Sequence, residues 1–255
     1  MQEAFDPFAI SNNNYLLTGA ASGIGRATAV LLSKMGANLI LADINEAGLS
    51  ETKAQCRASD KVFVIDLGKP SLIGPALTNI VNEFGKLNGF IHLAGIPYIS
   101  PLKSISTEKC MEVLQINTLA GLELAKIFAN KKICADGHRS IVFISSVYAV
   151  VGSPANVGYA MSKAALHGIT KSLAIELAPK NIRVNCIAPG FVKTNMMSET
   201  EGLFEENRNT VLEELHPLGL GDADDIANAC AFLLSGAAKW ITGSVMNVDG
   251  GFTAK

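Results

Sequence analysis

YLLTGAASGIGRA, residues 15–27, runs a short apolar segment into three glycines and then into an amphipathic stretch. Gly19, Gly23 and Gly25 are spaced four and two apart. Glycine lets a chain turn tightly and lets backbone amides approach a ligand. A helix N-terminus adds free N–H groups and a positive dipole end. Strand, glycine turn and helix start, in that order, predict a pyrophosphate site. The spacing differs from GxGxxG, and no Lys-Ser/Thr pair follows as a P-loop requires. The turn residues expected to face a dinucleotide are Gly19, Ser22, Gly23, Ile24 and Gly25.

The same rhythm continues outward. YLL (15–17), NLILA (38–42), VFVI (62–65), GFIHLA (89–94), SIVFIS (140–145), IRVNCIA (182–188) and SVMNV (244–248) are short apolar runs. Most are apolar at consecutive positions, as strands buried on both faces should be. Between them, 24–35, 45–57, 71–84, 107–131, 155–179 and 223–235 read as helices. Alternation of this kind predicts an α/β fold: a doubly wound, parallel, seven-stranded Rossmann-type sheet with helices on both faces. No linker, repeat or low-complexity segment divides it, so one domain over residues 1–255 is expected. The long strandless stretch at about 193–221 reads as a substrate lid. Within it Met196, Met197, Leu203 and Phe204 are expected to line an apolar pocket, and six Glu against Arg208 make 195–216 acidic.

Asp43 ends the second strand, 18 residues after Gly25. That is close to the roughly 20 expected for an acid that binds an adenosine ribose 2′-hydroxyl. An acid there repels a 2′-phosphate, and neither Ser22 nor Ile44 brings a cation to welcome one. The expectation is NAD rather than NADP. The simpler role for Asp43, N-cap of the helix after it, is compatible with the first.

YAMSK (159–163) places Tyr159 and Lys163 one helical turn apart, on one face. Tyr159 is alone among the four Tyr in having Lys at +4. Ser146 precedes it by 13 residues and ends a strand, where open α/β sheets hold their ligands. Strand alternation turns Ser145 to the other face. Ketone reduction needs a proton donor for the nascent alkoxide. A free Tyr, with a pKa of about 10, is too weak an acid for easy work at neutral pH. The Lys163 ammonium is expected to lower it. Tyr159 then gives the proton in reduction and takes it in oxidation, while Ser146 polarises the substrate oxygen.

Bulk properties exclude several classes. The 255 residues carry a net charge of −2, so no polyanion-binding face stands out and nucleic acid is a poor guess. Hydrophobic residues make up 49% and charged residues 17%, enough for a sizeable core. No apolar run approaches the roughly 18 residues that span a bilayer. MQEAFDPFAI carries two acids and no base, unlike a secretory signal. Cys56, Cys110, Cys134, Cys186 and Cys230 show neither CxxC pairing nor metal spacing, which reads as reduced thiols in a cytoplasmic protein with no metal.

Taken together, these residues resemble the short-chain dehydrogenase/reductase family in its compact form. TGAASGIG (18–25) resembles the family's TGxxxGxG turn, and HLAG (92–95) stands where NNAG is usual. Asn117, the serines 145–146, the YxxxK at 159–163, PGFVKT (189–194) and NVDGG (247–251) follow in order. The resemblance covers almost the whole chain. It implies that Asp66 and Leu67 frame the adenine. It implies that Lys163 binds the nicotinamide ribose and that Asn117 holds a water linking Lys163 to solvent. Ala94, Gly95, Pro189, Gly190, Val192 and Thr194 match its other cofactor positions. A homotetramer pairing through the 155–179 helix is its common assembly. His92 and Leu93 depart from the family's two Asn, and His92 is expected to replace one as a hydrogen-bonding tie. His167 reads as a packing or interface residue.

The activity implied is interconversion of a secondary alcohol and its ketone, with Tyr148 and Ser153 candidates to face the substrate. One alternative is a 3-oxoacyl-carrier-protein reductase, for which Lys131, Lys132, Arg139 and Lys180 offer basic residues to an acidic carrier. Another is a non-catalytic dinucleotide sensor, although such relatives typically lose the Tyr or the Lys. Epimerases and dehydratases with an added C-terminal substrate domain need a longer chain.

Overall fold

The computed structural model describes residues 6–194 and 208–254, without the side chains of 208–211. All seven expected strands form: β1 (Asn14–Thr18), β2 (Asn38–Asp43), β3 (Lys61–Val64), β4 (Gly89–His92), β5 (Arg139–Ile144), β6 (Ile182–Pro189) and β7 (Val245–Val248). Every pairing is parallel, in the order β3-β2-β1-β4-β5-β6-β7. The order reverses between β1 and β4, which opens a crevice beyond the strand C-termini.

Consecutive apolar residues serve both faces because side chains alternate along a strand. Leu16, Ile40, Phe90, Ile141, Phe143 and Val184 face one way. They pack on α3 (Pro70–Phe84), α5 (Ala120–Phe128) and α6 (Val157–Leu177). Tyr15, Leu17, Leu39, Leu41, Ile91 and Val142 face the other, against α1 (Gly23–Lys34), α2 (Glu46–Ala54) and α8 (Ala223–Leu234). Two polar residues interrupt the β6 run for a structural reason. Arg183 reaches the last carbonyls of α8, with Nη2 donating to Leu233 O at 2.7 Å. Asn185 ties Ile241 and Ser244 with both ends of its amide.

The expected helix 107–131 forms without a break over 107–128, but its middle is not a regular α-helix. α4 (Thr107–Leu114) passes into a π turn at Gln115–Leu119 and then into α5. Such wide turns occur mostly as local insertions, often at functional positions. This one contains Asn117. The two ends of the 193–221 stretch are tied together: Lys193 N donates to Gly221 O and Gly221 N to Phe191 O. α7 (Arg208–Leu215) lies within it. Met196, Met197, Leu203 and Phe204 lie outside the described residues.

Candidate active site

The glycine turn leaves β1 at Thr18. A Cβ on Gly19 would lie 2.6 Å from Ala94 N, and one on Gly25 would lie 1.9 Å from Gly19 O. Neither position tolerates a side chain, so the turn folds tightly against the β4 loop. Ser22 occupies the N-cap of α1 yet makes no side-chain cap bond, and the first turn carries no acid. The first amides of α1 are thus free to receive an anion. A cleft runs from there along Ser22, Gly23, Ile24, Asp43, Asp66, Leu67, Ala94 and Gly95 to Thr194. No Lys or Arg lines it among the described residues.

Asp43 sits at the end of this cleft. Its carboxylate accepts from Ala21 N at 3.1 Å and Asn45 N at 3.0 Å. The N-cap of α2 is Asn45, which accepts from Gly48 N. The helix-capping role open to Asp43 belongs to its neighbour. Asp66 lies near the far wall, accepting from Gly68 N and 3.2 Å from Lys69 Nζ.

A second, more apolar cavity adjoins the first and shares Ile24, Leu93, Gly95 and Thr194 with it. Ser146, Tyr148, Ser153, Tyr159, Lys163, Pro189, Gly190 and Val192 line it. Ser146 comes from the end of β5, Tyr159 and Lys163 from the first two turns of α6. Ser146 Oγ accepts from Tyr148 N at 3.2 Å and acts on the Tyr159 phenol to lower its pKa. Lys163 is buried, donates to Ile144 O at 2.8 Å, and stands 5.7 Å from the Tyr159 ring centre.

The electrostatics reverse one expectation. Burial pushes the Tyr159 phenol up, to about 12, with Ser146 opposing. Burial pushes the Lys163 ammonium down, to about 8. Spacing alone puts a cation beside the phenol. It does not show that Lys163 is buried and Tyr159 half-buried, or that the ammonium is spent on a carbonyl.

Ser145 points away, as alternation requires, and donates to Lys163 O at 2.9 Å. His167 Nε2 lies 2.9 Å from the same hydroxyl, so His167 is a tie rather than a base. Asn117 is fully buried. Its amide accepts from Ile96 N at 2.8 Å and donates to Ile96 O and to Ser162 Oγ. Ser162 Oγ in turn donates to Tyr159 O. Asn117 therefore fastens the Gly95 loop to the turn of α6 that carries Tyr159. His92 takes the place of the missing Asn as a tie. Its Nε2 lies 3.1 Å from Ile116 O and its Nδ1 2.9 Å from Thr18 Oγ1. The carbonyl requires Nε2–H, so Thr18 donates to Nδ1. Burial, with Lys163 adding to it, holds the ring at about 4, too low for base work near neutrality.

Two residues of the site are not singled out by the sequence. Phe191 walls the cavity, edge-on to Tyr148 at 5.5 Å. His216, 25 residues later and buried, accepts the Phe191 N–H at 3.2 Å. Only the fold brings them together.

The glycine turn, the uncapped helix start and the Ser–Tyr–Lys cluster define a dinucleotide-dependent oxidoreductase. Residues 19–253 match a family model described as enoyl-(acyl carrier protein) reductase. The chain belongs to the short-chain dehydrogenase/reductase family. It is 35% identical over 240 residues to the 3-oxoacyl-(acyl-carrier-protein) reductase of Thermotoga maritima, covering 92% of this chain and 96% of that protein. The Escherichia coli protein of that name is also 35% identical, over 236 residues, covering 92% and 95%. A crystal structure from Agrobacterium tumefaciens, described as a candidate 2-deoxy-d-gluconate 3-dehydrogenase with bound NADP, has a TM-score of 0.86 at 31% identity. That match covers 98% of this chain and all of the other. The cofactor class is a pyridine nucleotide. Among the described residues no helix is long and apolar enough to cross a membrane, and no His/Cys/Asp/Glu group could hold a metal.

Proposed function

We propose that this chain is an NAD(H)-dependent oxidoreductase that interconverts a secondary alcohol and its ketone. The observation that carries the reading is the convergence of Ser146, Tyr159 and Lys163 on a cavity that opens into the glycine cleft. The chemistry a bound nicotinamide supplies is hydride donation to the carbonyl carbon, or its removal from the carbinol. Tyr159 donates its phenolic proton to the oxygen in reduction and recovers it in oxidation. Ser146 donates a hydrogen bond to that oxygen and so stabilises the charge it gathers. Lys163 contributes a fixed cation beside the ribose position. Asn117 is also a positioning residue, its side-chain amide holding Ile96 and Ser162, beside the relay that the resemblance implies. With its pKa at about 12, Tyr159 is a proton donor at neutral pH, which suits ketone reduction.

NAD is favoured over NADP because Asp43 lines a cleft with no basic residue among its described lining. The cofactor positions are Gly19, Ser22, Gly23, Ile24, Gly25, Asp43, Asp66, Leu67, Ala94, Gly95, Tyr159, Lys163, Pro189, Gly190, Val192 and Thr194. Fluorescence titration with NADH and NADPH tests this. Tighter NADPH binding would remove the role given to Asp43.

The names of the curated relatives favour a second reading, a 3-oxoacyl-carrier-protein reductase. The basic residues offered for it do not support it. Lys131, Lys132, Arg139 and Lys180 lie before β5 and β6 or at their start, at the end of a parallel sheet opposite the cavity. Lys103 and Lys193 are exposed on the cavity side. A sensor without chemistry is disfavoured by the intact Ser–Tyr–Lys cluster. We place the chain in the cytoplasm, its five thiols unpaired, as a homotetramer. Exposed Val157, Met161 and Ile175 on α6 supply an apolar face for pairing.

A further inference from the structure

The cavity beside Tyr159 has a wall that the reaction itself does not require. Phe191 follows the β6 exit turn and meets Tyr148 edge-to-face at 5.5 Å, with an interplanar angle of 87°. Edge-on, it also meets His216 at 5.5 Å and Phe252 at 5.9 Å. His216 and Phe252 stack at 4.8 Å. His216 is 2% exposed and uses both ring nitrogens: Nδ1 lies 2.6 Å from Leu212 O, and Nε2 accepts from Phe191 N. Those bonds require a neutral ring with Nδ1–H donating to the carbonyl. A Cβ on Gly190 would lie 3.0 Å from His216 Nε2, so this close approach depends on glycine. His216 thus joins the β6 exit, α7 and the C-terminal turn, and the element it fixes is Phe191.

The rest of the cavity is chemically consistent. Pro97, Ile99, Val147, Pro154 and Val192 add apolar surface around the two aromatic rings. Ser153 and Asn156 are neutral, and Lys163, the one charged side chain among the described lining residues, is bonded to Ile144 O. Among the described lining residues no cation is free to meet a carboxylate or phosphate on the substrate, whose entry would be a costly desolvation. An apolar or aryl group would instead gain contact with Phe191 and Tyr148.

We propose that the cavity selects a ketone or secondary alcohol carrying an uncharged apolar or aryl group, seated on Phe191, and that His216 is the positioning residue that holds Phe191 there. This rests on the oxidoreductase reading above.

The test uses the full chain with NADH present and four probes: acetophenone, acetone, acetoacetate and levulinate. Binding is read by ligand-observed NMR titration, and turnover by nicotinamide absorbance. Acetophenone is expected to bind and react at lower concentration than either keto acid. Phe191→Ala should raise KM for acetophenone about tenfold more than KM for acetone. His216→Ala should reproduce that selective rise, with kcat for acetophenone falling much less. His216→Gln, which keeps an acceptor for Phe191 N and a donor for Leu212 O, should restore most of the loss. If His216→Ala does not fold, Phe191→Leu and His216→Gln carry the test. Preference for a keto acid, or an equal KM change for acetone and acetophenone in Phe191→Ala, overturns the proposal. Wild-type binding of acetophenone that is lost in Phe191→Ala, but with no turnover of any probe, would overturn the oxidoreductase reading and leave the wall standing.

Discussion

Tyr159 and Lys163 share a face of α6, and the fold turns that pairing into two opposed shifts: the phenol up to about 12, the ammonium down to about 8. Lys163 is a cation below about pH 8 and neutral above it. The kcat/KM for ketone reduction is therefore expected to be level below that value and to fall above it with single-proton slope. A pH profile of initial rates checks this, and an unbroken profile to pH 10 would remove Lys163 from its role. Asp43→Asn keeps an acceptor for one backbone amide while removing the charge. It is expected to weaken NADH roughly tenfold, the ~1.4 kcal/mol of one lost charged hydrogen bond, and to narrow the gap to NADPH. Paired fluorescence titrations measure both. At this scale the sequence is informative about residue identity. Spacing shows which groups are neighbours, but a pKa depends on burial, which spacing does not contain.

The central strands were legible because burial on both faces demands unbroken apolar runs, the edge strands β3 and β7 kept mostly apolar runs although partly exposed, and the seven runs became seven strands within about two residues. Helix interiors were legible too. The π turn at 115–119 was not, because it adds one residue inside a stretch that is helical and apolar on either side of it. Its effect is concentrated in one tie. His92 bridges β1 and the π turn as a neutral ring, held at about 4 against an ordinary value of 6.5. The unfolded chain binds that proton at a higher pH than the folded one. Stability from this group is thus present above about pH 6.5 and lost as pH falls toward 4. The loss amounts to about 3 kcal/mol. Denaturation midpoints across that window are expected to fall steeply in the wild type and less steeply in His92→Asn, which has no ring to protonate. Equal slopes would contradict this account of His92. The aromatic wall was equally hidden, since Phe191 and His216 are joined only by tertiary packing.

Across the whole molecule, a parallel sheet gives each loop an end. Loops after strands carry the glycine turn, Ser146 and Gly190, with Pro189 ending β6, while Lys131, Lys132 and Lys180 come just before strands. Charge counted along the chain does not reveal this, but strand direction does. Assembly belongs to the same scale. Light scattering is expected to give about four times 26.8 kDa, and Met161→Glu on the exposed face of α6 to lower it. A wild-type monomer would contradict the pairing. The central claim is that Tyr159 moves a proton while NADH gives up a hydride. Its most direct measurement is ketone-dependent loss of NADH absorbance for the wild type and Tyr159→Phe at equal, saturating NADH. Turnover by the wild type and a loss of about 10³-fold or more in Tyr159→Phe, with NADH affinity within about twofold, is the expected result. Comparable turnover by the two proteins would contradict it.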